Sequence, residues 1–181
     1  MFFFKRFTNR AAAFLAHRAG VDVEDMSHVV IWGNHSATQV PGFIHAKIQG
    51  KGDHQILTDH RQWLEEEYVP KVQKRGAEVI QTRGKSSAAS AANGAIDAMK
   101  SLIFPTAEGH VFSMSLFSDE NPYGIHSGLV FSFPCFSEGE GKVEIVPGFV
   151  WDSFLEKKIA LTEKELLEER ALIEHFLGEK S

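Results

Sequence analysis

An α+β domain, an antiparallel sheet packed with long helices, is the architecture this sequence predicts, and three observations predict it. Beyond Pro105 the apolar residues change to strand period: His110 to Phe117, Gly128 to Phe136 and Lys142 to Val146 alternate or run apolar between glycine-containing turns. Before and after that block, capping residues and apolar residues at helical spacing mark several long helices. Finally, 181 residues with 43% hydrophobic and 24% charged side chains suit one enclosed core, hence one domain.

In chain order, Thr8 or Asn9 is expected to cap a first helix whose Ala-rich body ends near Gly20. The same stretch holds Lys5, Arg6, Arg10 and Arg18 and no acid before Asp22, so an organelle transit segment is the competing account. Folded structure is preferred, with residues 1–8 a divergent N-terminal segment and 9–181 the domain proper. Val29 to Trp32 read as a buried strand that breaks at Gly33, where a residue without Cβ permits the turn. Phe43 to Ile48 suggest a short strand, followed by a turn at Gly50, Gly52 and Asp53.

Asp59 to about Ile80 predict a long helix with Trp63, Leu64, Tyr68 and Val69 on its apolar face and a kink, break or junction at Pro70. Ser86 or Ser87 can cap another helix running toward Leu102, with Ala88, Ala89, Ala91, Ala92 and Ala95 as a small-residue packing face. After the three strands, in which Ser137 to Gly141 form an exposed hairpin turn, Thr162 and Glu165 fit a capping box for a final helix. Its Leu166, Leu167, Ile173, Phe176 and Leu177 would face inward.

Charge and composition exclude several classes. The net charge is −5 and acids dominate the last third, which argues against a nucleic-acid partner, because phosphate binding needs clustered cations. No apolar run approaches the roughly 20 residues that span a bilayer. The one cysteine, Cys135, has no partner for an internal disulfide, and a reducing, cytoplasmic setting fits best; a mitochondrial location is the alternative if the basic N-terminus is a transit segment.

The residue that invites a chemical role is His35. It follows the Gly33 break on a polar loop with Asn34, Ser36 and Thr38, whose amide and hydroxyls can orient the ring, and an imidazole with a pKa near 6.5 exchanges protons near neutrality. The chain has nine histidines, and a hydrogen-bonded structural histidine is the competing reading. Their spacing offers no HxxxH pair or Cys/His cluster, so no metal ligands are assigned.

Five ordered segments carry a family resemblance. WGNHS (Trp32 to Ser36) resembles the active-site loop of cytosolic-type malate dehydrogenases, of the lactate/malate dehydrogenase family. Asn9 to Ala11 (NRA) resemble the family's substrate-arginine motif, Arg83 to Ala92 its serine-bearing helix start, Ser118 to Pro134 two sheet strands with their connection, and Leu161 to Glu169 the terminal helix. The resemblance covers the C-terminal, substrate-binding half of that enzyme. It implies an oxidoreductase fold of the family's C-terminal type, malate and oxaloacetate as substrates, NAD as cofactor and a role in the tricarboxylic acid cycle. His35 would be the catalytic acid/base, and Arg10 would clamp the substrate carboxylate through its flat guanidinium fork, with Asn9, Ser86 and Ser87 lining the pocket. For Arg10 an ordinary helix arginine is the alternative, and for Ser86 or Ser87 simple N-capping.

Two departures qualify that implication. The family's aspartate three residues before the substrate arginine, which orients the histidine and stabilises the imidazolium, is Phe7 here. The nucleotide-binding half is also missing: the sequence contains no strand-linked GxGxxG and no mobile arginine loop. The expectation is a substrate-binding half, inactive unless a nucleotide-binding half complements it, with a homodimer partner reasonable. A noncatalytic dimerisation or binding remnant is the second reading, and an unrelated metal module is the third.

Overall fold

The computed structural model describes residues 3–48 and 59–176. Helix α1 (Phe3–Ala19) is followed by two short antiparallel pairs: β1 (Met26–Ser27) with β4 (Lys47–Ile48), and β2 (Val30–Trp32) with β3 (Val40–Gly42). A helical rod comes next, α2 (Arg61–Trp63), a π-helical turn (Leu64–Tyr68) and α3 (Val69–Arg83), and then α4 (Ala88–Ile103). Strands β5 (Phe112–Phe117), β6 (Val130–Gly139) and β7 (Lys142–Ile145) form an antiparallel sheet in the order β5-β6-β7, and α5 (Ser153–Ile173) closes the domain. This is the expected α+β arrangement.

The sheet follows from its sequence. In the β5–β6 register Phe112 faces Cys135, Met114 faces Phe133 and Leu116 faces Phe131, so the apolar positions of both strands share one face, and Phe131, Phe133 and Cys135 are fully buried. The intervening serines have a separate use. Ser113 Oγ accepts a hydrogen bond from the Ile31 main-chain N–H at 2.8 Å, and Ser132 Oγ donates to the Ile31 carbonyl at 2.6 Å. Two strand hydroxyls thus satisfy both polar groups of a residue buried in β2, where an unpaired group would cost about 1–3 kcal/mol. Gly33 extends the join by exchanging main-chain bonds with Ser132. Above β2, Trp32 meets Tyr123 and Trp151 edge-on at 4.8 and 5.3 Å.

Several local expectations shift. Thr8 and Asn9 do not cap α1: they lie inside it, and the Thr8 hydroxyl bonds back to the Phe4 carbonyl at 3.1 Å. The helix crosses residues 8 and 9 without a break and ends, as expected, at Gly20. Between Phe43 and Ile48 only Lys47 and Ile48 are strand, because the preceding residues turn through an Ala46 N–H to Phe43 carbonyl bond. The turn expected at Gly50 to Asp53 lies outside the described residues. At Pro70 the rod absorbs the missing N–H through the π turn, in which Val69 N–H bonds to the Leu64 carbonyl five residues back. In α4 the packing face is Gly94 and Ala98, with Ala91 and Ala95 half-buried; Ala88, Ala89 and Ala92 face outward. The β6–β7 hairpin narrows to Glu140 and Gly141, both at positive φ.

The largest correction concerns the last helix. It begins eight residues earlier than Leu161, capped by Asp152, whose Oδ1 accepts the Leu155 N–H at 2.9 Å. Thr162 and Glu165 therefore sit mid-helix, where their side chains are free for a tertiary task. Leu166 and Leu167 pack against the core as expected, but Ile173 and Phe176 are exposed (48% and 78%), and Leu177 lies outside the described residues.

Gly33 is the tightest of these joints. Its φ is +92°, and a methyl group added there would fall within the Thr162 side chain, with Thr162 Cβ only 2.9 Å away. Gly33→Ala should destabilise the fold by about 2–4 kcal/mol, from backbone strain and overpacking together. Gly109→Ala, also at positive φ (+71°) but facing open space, carries strain alone, about 1 kcal/mol. Urea midpoints of the two variants against the parent check the difference.

Candidate functional site

The loop after β2 is built by what Gly33 starts and helix α5 completes. Asn34 N–H donates to Thr162 Oγ1 at 2.9 Å, and Asn34 Nδ2 donates to Glu165 Oε2 at 3.2 Å and to Glu169 Oε1 at 3.1 Å. Ser36 Oγ donates to Glu165 Oε2 at 2.5 Å, and the Thr38 hydroxyl bonds to the same oxygen. Burial pushes the Glu165 carboxyl up, but the bonds from Ser36, Thr38 and Asn34 outweigh it and hold the group below its usual range. The loop's polar residues, expected to orient the imidazole, direct these bonds into α5 and fix the backbone that carries His35.

On the facing side α1 supplies aromatic rings. The His35 ring stands edge-on to Phe7 at 5.2 Å and to Phe4 at 5.8 Å. The Arg10 guanidinium lies over the same Phe7 ring, 5.3 Å from its centroid, and Arg10 Nη1 reaches the Val72 carbonyl at 3.3 Å. Phe7 is thus touched by both side chains singled out in the sequence. Burial lowers the His35 pKa from its ordinary 6.5, and the positive charge of Arg6 pushes the same way, so the imidazole is neutral at pH 7 and suited to accept a proton. Burial likewise brings Arg10 down to about 10, helped by Arg6 and Arg75 and opposed by Glu78; it stays cationic at neutrality.

A cavity of about 350 Å³ opens where α1, α3 and α4 meet, lined by Asn9, Arg10 and Ser87 together with Arg6, Arg75, Val79, Ser90 and Asn93. Of the sequence-predicted site residues, it gathers Asn9, Arg10 and Ser87. Ser86 is exposed and outside it, and His35 is not on its wall but borders Phe7 from the other element. Ser87 occupies the position preceding α4, yet its hydroxyl meets Ser90 Oγ at 2.5 Å and makes no capping bond to the main chain. Asn9 is held by Asp97, at 2.8 Å.

The sequence and the fold have parallels among known proteins. Residues 8–177 match the family model described as lactate/malate dehydrogenase, alpha/beta C-terminal domain. The chain belongs to the lactate/malate dehydrogenase family. It is 56% identical over 169 residues to a malate dehydrogenase of Protochlamydia amoebophila, covering 93% of this chain and 51% of that protein. Against the chloroplastic NADP malate dehydrogenase of Pisum sativum the identity is 48% over 171 residues, 94% of this chain and 38% of the relative. Among solved structures, malate dehydrogenase from Naegleria fowleri superimposes with a TM-score of 0.87 at 37% identity, covering 94% of this chain and 51% of that one. Lactate dehydrogenase from Trichomonas vaginalis gives 0.87 at 36% identity, covering 95% and 53%. The chain spans about half the length of three of these dehydrogenases and 38% of the Pisum sativum enzyme, and it matches the family's C-terminal domain.

Reading the sequence alone misses Glu165, Thr162, Arg6 and Arg75. The Thr-x-x-Glu spacing of Thr162 and Glu165 imitates a capping box, which hides their bonds to the loop. Arg6 stands one helical turn before Arg10 on α1, an i, i+4 spacing that places the two on one face and could have revealed it.

Because its proton affinity is lower folded than unfolded, His35 costs stability as pH falls: the penalty starts near 6.5 and is complete below the lowered folded-state value. In an NMR titration His35 should accordingly titrate below 6.5. Phe7→Asp, which sets a carboxylate against the ring, should move that midpoint upward.

Proposed function

We propose that the chain is the substrate-binding and proton-transferring half of an NAD-dependent malate dehydrogenase, interconverting malate and oxaloacetate in the cytoplasm. The observation that carries this reading is the meeting of Arg10 and His35 on one ring: a guanidinium from α1 and a neutral imidazole from the β2 loop, 5.3 and 5.2 Å from the centre of Phe7. Arg10 would hold a substrate carboxylate through paired hydrogen bonds. His35 would take the hydroxyl proton in the oxidising direction and return it in the reducing one. Asn9 and Ser87 would shape the carboxylate pocket. In this division residues 9–181 are the substrate domain, and the segment 1–8 contributes Phe7 and Arg6 to its edge.

The described residues do not suit the dinucleotide itself. Every strand pair among them is antiparallel, and none forms the parallel strand, glycine-rich turn and helix that cradle a pyrophosphate. Hydride acceptance therefore belongs to a complementary nucleotide-binding half. Buried Cys135, unpaired and with its thiol pushed up to about 12 by burial, suits a reducing compartment.

A noncatalytic association module is the second reading, favoured by Phe7 in place of an acid and by Ile96, Met99 and Ile103 exposed along α4. Assaying the purified chain with oxaloacetate and NADH, alone and mixed with a nucleotide-binding half from a relative, decides between them. The proposal expects turnover only in the mixture, reduced about 100-fold or more by His35→Asn. Self-association without turnover in the mixture would favour the second reading.

A further inference from the structure

We propose that Arg6 and Arg75 join Arg10 in a binding site for a compact oxyanion of charge −2, seated in the cavity between α1, α3 and α4. Three arginines line this space of about 350 Å³, a size typical of small-ligand sites, and among the described residues no acid lines it. Bringing like charges together in a partly dry cleft is unfavourable unless something negative offsets them. The protein does so only in part. Arg75 reaches Glu78 at 3.3 Å and Arg10 takes the Val72 carbonyl at 3.3 Å, while Arg6 Nε is buried with no hydrogen-bond partner.

The neutral groups on the wall are already engaged. Asn9 and Asn93 both donate to Asp97, at 2.8 and 3.1 Å, and Ser87 and Ser90 bond each other. The donors left over belong to guanidinium groups, whose planar forks match the paired oxygens of a carboxylate or phosphate. The frame that holds them is close-fitting. Gly94 lets α4 approach the backbone of α1 at Arg6 so nearly that an added Cβ would stand 2.8 Å from Arg6 Cβ and 3.0 Å from its main-chain nitrogen. Among the described residues Val79 is the sole apolar one on the wall, which disfavours an apolar guest.

A dicarboxylate and a phosphate share the chemistry this site recognises, and titration tells them apart. The site uses Arg10, as the dehydrogenase reading does, but needs neither His35 nor a hydride carrier. The test follows amide resonances of the full chain by NMR during addition of inorganic phosphate or of malonate, with sodium chloride at matched ionic strength as the baseline. Saturable shifts on α1, α3 and α4 are expected for at least one of the two anions, and the one that binds names the source. Arg6→Gln and Arg75→Gln should each weaken binding about 10-fold, the loss of a charge-assisted contact, with exposed Arg83→Gln within about twofold of the parent. Arg75 is half-exposed, so its replacement leaves the core intact even if Arg6→Gln fails to fold. No shift beyond chloride, or parental affinity in Arg75→Gln, overturns the proposal. His35→Gln separates the two readings: it should keep anion binding while abolishing turnover in the complemented mixture. Turnover without anion binding would sink this inference alone.

Discussion

The grip of helix α5 on the loop after β2 is the constraint from which the rest of the site follows. One carboxylate oxygen of Glu165 gathers Asn34, Ser36 and Thr38, and Thr162 receives the Asn34 N–H directly beneath a glycine that leaves no room for a side chain. Such charge-assisted bonds to one acceptor cooperate, since each fixes the geometry the next requires. A loop held at three side chains and one main-chain group has few conformations left to lose, so His35 is presented at little further entropic cost. The same grip ties the end of the chain to a loop more than 120 residues earlier.

Phe7 sets the chemistry on the other side of that loop. An aromatic ring against imidazole removes water and supplies no negative charge, so it favours the neutral form, whereas an acid in its place would favour the cation. The ring's electron-rich face also receives the Arg10 guanidinium. One side chain thereby holds a base in its unprotonated state and a cation in position.

What the sequence makes legible follows its periodicities. The β5-β6-β7 sheet is plain because Phe131, Phe133 and Cys135 alternate with Ser132 and Pro134 in one uninterrupted run, and a period of two has few rival explanations. The buried tasks of Ser113 and Ser132 are invisible at that level, since they depend on β2 crossing the sheet from 80 to 100 residues away. Thr162 and Glu165 mislead for a related reason. A capping box and a pair of mid-helix side chains turned to a neighbouring loop have the same spacing, and only the position of Asp152 decides between them. His35 and Arg10 are readable as individuals through their motifs, but Phe7 as their common contact is not, because it requires α1 and the β2 loop to be placed side by side.

The cationic cavity shows how little net charge says about a local site. The chain carries −5 overall, with its acids concentrated toward the C-terminus, yet Arg6, Arg10 and Arg75 converge where α1, α3 and α4 meet. Two features make that convergence sustainable. Asp97 lies nearby but is engaged by Asn9 and Asn93, so it tempers the field without neutralising the guanidinium groups. Glu78 meets Arg75 and partly offsets the charge felt by Arg10. A net charge of −5 repels anions at long range while three converging arginines attract them at short range, and added salt screens both effects.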